Sequence, residues 1–371
     1  MASTAKHDWP MVRLGDVCEL KYGKALKKED RVEGEYRVFG SAGSVGTHVE
    51  ANFVGPVSVV GRKGSAGSVE WSSGNCWIID TAFGVLPKSE EQVDSRWLYW
   101  LLKDLRLGRL QKHAAVPGIS KADVVKEEFR LPPLDEQRRI AAILDEMGAL
   151  IEKVDTELSV LQKVQHSRLD EVLRHSPQVP LKTYVESIQS GKSVKEASTD
   201  EVCNRVLKIS AVTSGIFQPD ESKPLPDDYT PADAHRVQKG DVLVSRANTA
   251  ELVGASALVV DEVQNLYLPD KLWRLNLAQG VQAAVIVGIL QNAVVRSRIS
   301  AKASGSGGSM KNITQTAFLQ VLVPQLSTGE QARLSSLLML FGSVRELLHQ
   351  KRLHLETLRL SLSTRAFQGE L

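Results

Sequence analysis

The sequence predicts an α/β (α+β) protein made of one plan written twice. Two mixed globular units are separated by two long antiparallel coiled-coil helices, with pseudo-twofold internal repetition. Three observations carry this reading. Residues 131–174, opening LPPLDEQRRIAAIL, set a Pro-Pro corner against an acidic helix start and a long apolar seam. Residues 323–365, opening VPQLSTGEQARLSSLL, repeat that arrangement more weakly. Each stretch closes a region of similar length, and the two regions agree at their ends and differ in their middles. A first globular unit at 1–134, a long helix at 135–175, a second unit at 176–326 and a second long helix at 327–371 follow.

In chain order, WPMVRLGDVCELKYGK at the start matches VPLKTYVESIQSGK at residues 179–192. Setting Gly23-Lys24 on Gly191-Lys192 brings Val17 to Val185 and Glu19 to Glu186 within one place. A period this long is duplication of a domain with its linker, not a solenoid. YRVFGSAGSVG, GPVSVVGRKGSAGSVEW and NCWIIDTAFGVL are short β-branched runs punctuated by glycine, hence strands and turns. DSRWLYWLLKDLRLGRLQ reads as a helix with Trp97, Leu98, Leu101, Leu102 and Leu105 on one face. A loop and the strand EEFRLPPL complete the unit. In the second unit RVLKISAVTSGIF, GDVLVSRANTAELVGASALVV, LPDKLWRLNL and FLQVLVP read as strands, and VQAAVIVGILQNAVVRSRI as one helix. Gly118-Ile119-Ser120-Lys121 is matched to Gly308-Ser309-Met310-Lys311.

The long helices start at Asp135 before Glu136-Gln137 and at Ser327-Thr328 before Glu330. Ile140, Met147, Val154 and Leu161 recur every seven residues in the first; Leu334, Phe341, Leu348 and Leu355 do so in the second. That spacing makes a narrow seam suited to a partner helix, and the two helices are predicted to pair with each other. At ~1.5 Å per residue, forty residues of helix extend roughly 60 Å.

Composition excludes several classes. A formal charge of +2 is far from the strongly basic balance of a sequence-blind DNA binder. Cys18, Cys76 and Cys203 are odd in number and widely spaced, which fits neither a disulfide framework nor a zinc site. The N-terminus has no apolar signal core, and the most apolar run, residues 281–290, is too short to span a bilayer. A cytoplasmic chain with no membrane partner is expected. GKS at Gly191–Ser193 lacks the first glycine of a phosphate loop, because Glu186 stands there. Asp220, Glu221 and Lys223 are too crowded for a metal-dependent nuclease, the histidines show no ligand spacing, and no AdoMet-type loop or amino-methylation motif is present. The chain is expected to bind, not to catalyse.

Charge is distributed unevenly. Residues 271–329 contain no Asp or Glu, yet carry Lys271, Arg274, Arg296, Arg298, Lys302 and Lys311. Residues 96–121 carry Arg96, Lys103, Arg106, Arg109, Lys112 and Lys121 against Asp104. Two matching basic stretches, each leading to a glycine loop with a lysine, point to phosphate contact. Arg62-Lys63 and Arg246 add donors on turns, and Arg246 with Asn248 can read base edges or stabilise a turn.

The ordered set YRVFGSAGSVGTH, GPVSVVGRKGSAGSVEW, CWIIDTAFGV, AVPGISKADV and LPPLDEQRRIAAIL, followed by VLKISAVTSGIF, KGDVLVSRANT and LPDKLWRL, resembles the specificity subunit of type I restriction-modification systems over essentially the full length. The resemblance implies two target-recognition domains reading the halves of a split, asymmetric DNA site. It implies a helical ruler for the spacer and docking of two modification and two restriction subunits. AdoMet, ATP and Mg²⁺ would then sit on those partners, with no cofactor or metal in this chain. STGEQARL departs from the pattern by two extra residues against LDEQRRI, and SGSGGSMKN replaces PGISK. The residues expected at double-stranded DNA are Lys24, Ser41, Arg62, Lys63, Lys112, His113, Lys121, Lys192, Lys208, Arg246, Asn248, Lys271, Lys302 and Lys311. The subunit-interface positions are the eight heptad residues named above. The competing readings are a coiled-coil protein–protein scaffold without DNA specificity, and a self-contained enzyme for which no motif is present.

Overall fold

The computed structural model describes residues 9–111, 118–174, 176–194, 204–226, 229–305 and 310–371. The chain forms two compact units, Met1–Asp155 with Gln350–Leu371, and Thr156–His349.

The first unit holds a four-stranded antiparallel sheet in the order Cys18–Tyr22, Ala82–Pro87, Val57–Gly61, Val69–Ser72. A three-stranded sheet follows the order Gly43–His48, Tyr36–Gly40, Cys76–Ile78, its last pair parallel. Met11–Arg13 pairs with Glu128–Arg130 as a ribbon at the unit's base. Val57–Gly61 is buried throughout because both faces are covered. Val60 joins the core around Trp97 and Leu98, while Val57 and Val59 join Phe39, Phe53 and Ile78. Alternate side chains thus serve two clusters, as the pleat requires.

The second unit repeats this plan. Val185–Ser190, Leu272–Leu277, Val242–Ser245 and Ser256–Leu258 form the four-stranded sheet. Ser222–Pro224, Arg205–Leu207 and Leu266–Tyr267 form the three-stranded one, and Gln178–Pro180 pairs with Leu322–Pro324. The two middles, unlike in sequence, therefore share one strand order. The single-place slip between the copies has a cause: a β-bulge between Val185 and Ser187 inserts Glu186.

Three local expectations change. The apolar run 281–299 is two helices, Ala283–Gln291 and Ala293–Lys302, broken at Asn292. Asn292 takes an extended conformation, and its Oδ1 accepts from the Val294 and Val295 amides, a competition with helical backbone typical of asparagine. Asp135 is not a cap: the helix runs Leu134–Arg174 and its first turn is held by Gln137. The second long helix, Thr328–Gln368, does begin with a capping box, Ser327 and Glu330 bonding reciprocally. The two extra residues disappear, because strand pairing matches Pro324 to Arg130 and not to Pro132. Both helices then start at the same distance from their strands, and both have 41 residues.

In the first unit the helices run antiparallel, since Arg139 donates to the Leu371 carbonyl while Asp155 accepts from Arg352 at 2.6 Å. Ile140, Met147 and Val154 are buried. Ile140 and Leu144 pack against the globular core and the tail residues Leu362 and Ala366 together. In the second unit Leu334 and Leu338 share a core with Leu169. Leu161, Phe341, Leu348 and Leu355 are half-buried.

Candidate nucleic-acid interface

In the first unit Thr81 is the hub that gathers the predicted residues. Its carbonyl accepts from the Arg62 amide at 2.8 Å and the Lys63 amide at 3.2 Å, and its hydroxyl accepts from the Ser41 amide at 3.3 Å. Lys63 bridges to Gly118, and the Ile119 amide donates to the Arg62 carbonyl at 3.0 Å. The Ser120 hydroxyl then caps the short helix that Lys121 begins. Lys24 joins from the end of its strand, its amide bonded to the Ile78 carbonyl at 2.9 Å. Only glycine fits before it: a Cβ at Gly23 would lie 2.1 Å from the Ile79 carbonyl oxygen. The turn after Lys63 needs a left-handed backbone at Gly64 and Gly67.

Tyr22, which the sequence reading overlooked, stands at the centre of this group and is 52% exposed. The Arg62 guanidinium lies 5.0 Å from its ring centroid and the Lys121 ammonium 6.0 Å. Arg62 Nη1 also donates to the Asp80 carbonyl at 3.3 Å, so its position is fixed. A solvent-facing aromatic between two cations offers a stacking surface inside a positive field. The overlooked signal was its place, one residue before the shared Gly-Lys pair.

The second unit builds the same scaffold. The Arg246 amide donates to the Lys271 carbonyl at 3.0 Å, and the Ile313 amide donates to the Arg246 carbonyl at 3.0 Å. Ala247-Asn248 pairs with Lys311-Asn312. The Thr314 hydroxyl caps the helix that Gln315 begins. Lys121 therefore corresponds to Gln315, not to Lys311; the matching of GISK to GSMK was four residues out, and Gly308 and Ser309 lie outside the described residues. Ser190, Arg246, Trp273, Asn312, Thr314 and Gln315 line an open cavity of about 620 Å³. Asn248 bonds the following amide through its own Oδ1, a turn-stabilising role. Lys192 and Lys208 are exposed beyond the ends of their strands. Lys302 is exposed at the end of its helix. Lys112 and His113 lie outside the described residues.

The two basic stretches are largely consumed by structure. Arg274 is buried against Asp241 at 3.0 Å and also bonds the Ala234 and Arg236 carbonyls. Burial pushes the Asp241 carboxyl up, and the Gln238 amide and Arg274 draw it back. Arg298 bonds Gln178 and the Leu322 carbonyl, Arg109 pairs with Glu127, and Arg96 pairs with Asp145 while stacking on Tyr99 at 4.6 Å. Charge in the linear chain does not tell these paired cations from the ones that stay at the surface. The crowded Asp220–Lys223 turn is structural too, with Glu221 accepting from Ser210 and Lys223 donating to the Val194 carbonyl. Among the described residues no group of His, Cys, Asp and Glu could hold a metal ion. No helix among them is long and apolar enough to cross a membrane.

Residues 6–162 match the model of the type I restriction modification DNA specificity domain. Relatives also extend beyond that segment. The MjaVIII specificity subunit of Methanocaldococcus jannaschii is 25% identical over 64% of this chain and 63% of its own. The EcoKI specificity subunit of Escherichia coli is 24% identical over 72% and 62%. The EcoEI specificity subunit of Escherichia coli reaches 35% identity, over 32% of this chain and 20% of its own. The chain thus matches less than two thirds of the length of each of these relatives. Its fold is similar to that of a type-I restriction-modification system S subunit from M. genitalium, with a TM-score of 0.63 at 14% identity over 99% of this chain and 98% of that one. A structure described for complex assembly and conformational transition of the type I R-M system gives 0.55 at 16% identity, covering 98% of each chain.

Proposed function

We propose that the chain is the sequence-specific DNA-binding subunit of a type I restriction-modification complex and recognises an asymmetric bipartite site. The observation that carries this reading is the duplicated scaffold: Arg62 and Arg246 are held by the same two backbone bonds at the same place in two copies of one sheet plan. Readers at 1–134 and 176–326 would each take one half-site, and different side chains around the same arginine predict different halves. The long helices Leu134–Arg174 and Thr328–Gln368 act in this reading as the spacer ruler and as the docking surface for partners. Leu340, Leu347, Leu353 and Leu360 on the second helix are 57–65% exposed, which suits a surface covered in an assembly. Two modification subunits carrying AdoMet, and two restriction subunits carrying ATP and Mg²⁺, would complete the complex. Linked readers raise one another's effective concentration only on correctly spaced sites, so specificity follows without strong overall basicity.

The deciding experiment is footprinting of the chain assembled with its modification partner. Protection of two unlike half-sites separated by an unread spacer is the expected result. Protection of a single uninterrupted palindrome would overturn the proposal, as would undiminished DNA affinity after Lys63, Arg246 and Lys311 are all changed to Ala.

A further inference from the structure

Aligned by their hydrogen bonds, the two units show which parts of the interface are common and which differ. Strand register places Tyr22 opposite Phe83 and Val60 in the first unit, and Ser190 opposite Trp273 and Val244 in the second. Tyr22 and Ser190 are therefore one position, followed in each case by Gly-Lys. The capped turns make Lys121 and Gln315 one position, each the first residue of its short helix. Arg62 and Arg246 are a third, identical in residue and in both backbone bonds.

These three positions converge in each unit by independent criteria. Lys121 and Arg62 both lie over the Tyr22 ring. Ser190, Arg246 and Gln315 line one cavity. The cavity has a simple origin: where the first unit places a phenol ring, the second has only a hydroxymethyl group, and Trp273 is left lining the opening beside Arg246. Arg246 Nε is buried without a hydrogen-bond partner, and Arg246 lines that opening.

A group that is the same in both readers cannot distinguish two half-sites. It can serve what both halves share, the phosphate backbone, which fixes register without carrying sequence. Discrimination must come from the positions that differ. A lysine on a base edge favours the guanine O6 and N7 acceptors, whereas a glutamine matches the adenine N7 acceptor and N6 donor.

Resting on the DNA-reading proposal above, we infer that Arg62 and Arg246 are equivalent phosphate anchors, and that Lys121 and Gln315 are equivalent base readers, Lys121 selecting guanine in one half-site and Gln315 adenine in the other. Tyr22 narrows the first site, and Ser190 leaves the second open to the base edge.

The test uses the full complex with its modification partner and a randomised bipartite DNA library, followed by binding at several salt concentrations. Wild type that selects no sequence would refute the DNA-reading proposal itself; the outcomes below separate the finer inference from it. Arg246→Ala should weaken binding to all selected sequences alike, by about 10-fold, and lower the slope of log K against log salt by about one, with the consensus unchanged. Gln315→Lys should convert one adenine of the second half-site to guanine and leave the first half-site as it was; Lys121→Gln should do the converse. Circular dichroism identical to wild type confirms that each variant is folded. A changed consensus in Arg246→Ala, or an unchanged second half-site in folded Gln315→Lys, would overturn the inference.

Discussion

Gln137 offers the most exacting check on how the long helices are fastened to their units. It is fully buried, and its amide makes three bonds: it accepts from the Asp94 amide at 2.8 Å and donates to the Gln92 and Pro132 carbonyls at 2.8 and 2.9 Å. Asp94 in turn caps the helix Ser95–Asp104 by accepting from Arg96 and Trp97. Gln137→Leu keeps the volume and leaves three backbone groups without that partner. At about 1–1.3 kcal/mol for each, the loss is ~3–4 kcal/mol. Its equivalent, Gln331, makes two longer bonds, from the Gln282 amide at 3.3 Å and to the Leu326 carbonyl at 3.1 Å. Gln331→Leu should therefore cost about 2 kcal/mol. With a urea m-value of about 2 kcal/mol/M, the midpoint shifts are ~1.5–2 M and ~1 M. Urea unfolding followed by hydrogen exchange and mass spectrometry reads peptides from each unit separately. A loss below ~1 kcal/mol for Gln137→Leu, or a larger loss for Gln331→Leu, would refute the argument that these amides hold the helix starts.

Other expectations follow from the same geometry. Asp104 has its carboxyl pushed up by burial, with the Ser363 hydroxyl and Arg106 drawing it back. The folded chain then binds that proton more tightly than the unfolded one, so its contribution to stability is greatest below the unfolded carboxylate range and is lost as pH rises through the folded value. Asp104→Asn should remove this loss, seen as a smaller fall in urea midpoint from pH 4 upward. Removing Arg274 leaves Asp241 buried without its countercharge, so Arg274→Met should destabilise the second unit by about 3–5 kcal/mol in the same exchange measurement. The Cys18 thiol is raised to about 12 by burial, and peptide mapping after iodoacetamide at pH 8 should find it unmodified in folded protein and modified in urea. Deleting residues 152–158 together with 351–357 removes the paired segment around Asp155 and Arg352, about 10 Å of helix, and should shorten the tolerated spacer by about three base pairs with both half-sites unchanged. Changed half-sites would exclude the ruler.

Some of this was readable from the chain alone. Apolar periodicity fixes the two long helices, because a seam every seven residues can be buried only along a helix. Gly23-Lys24 and Gly191-Lys192 disclose the duplication, because the close approach of a carbonyl oxygen admits no side chain at either glycine. Arg62-Lys63 and Arg246 were expected on turns, and in each unit the arginine carbonyl accepts from the isoleucine that leads into a short capped helix. What the sequence could not supply was register. Matching GISK to GSMK by letters put Lys121 four residues away from its structural counterpart, because equivalence is set by the bonds from Ile119 and Ile313 to their arginines, which span long loops. The basic stretches misled for a related reason: charge is visible in sequence, but whether Arg274 meets solvent or Asp241 depends on strands brought together across thirty residues. Periodicity and composition are local and survive in the linear chain. Pairing, burial and the opening left by Ser190 where Tyr22 would stand are properties of distant segments in contact, and only the folded structure decides them.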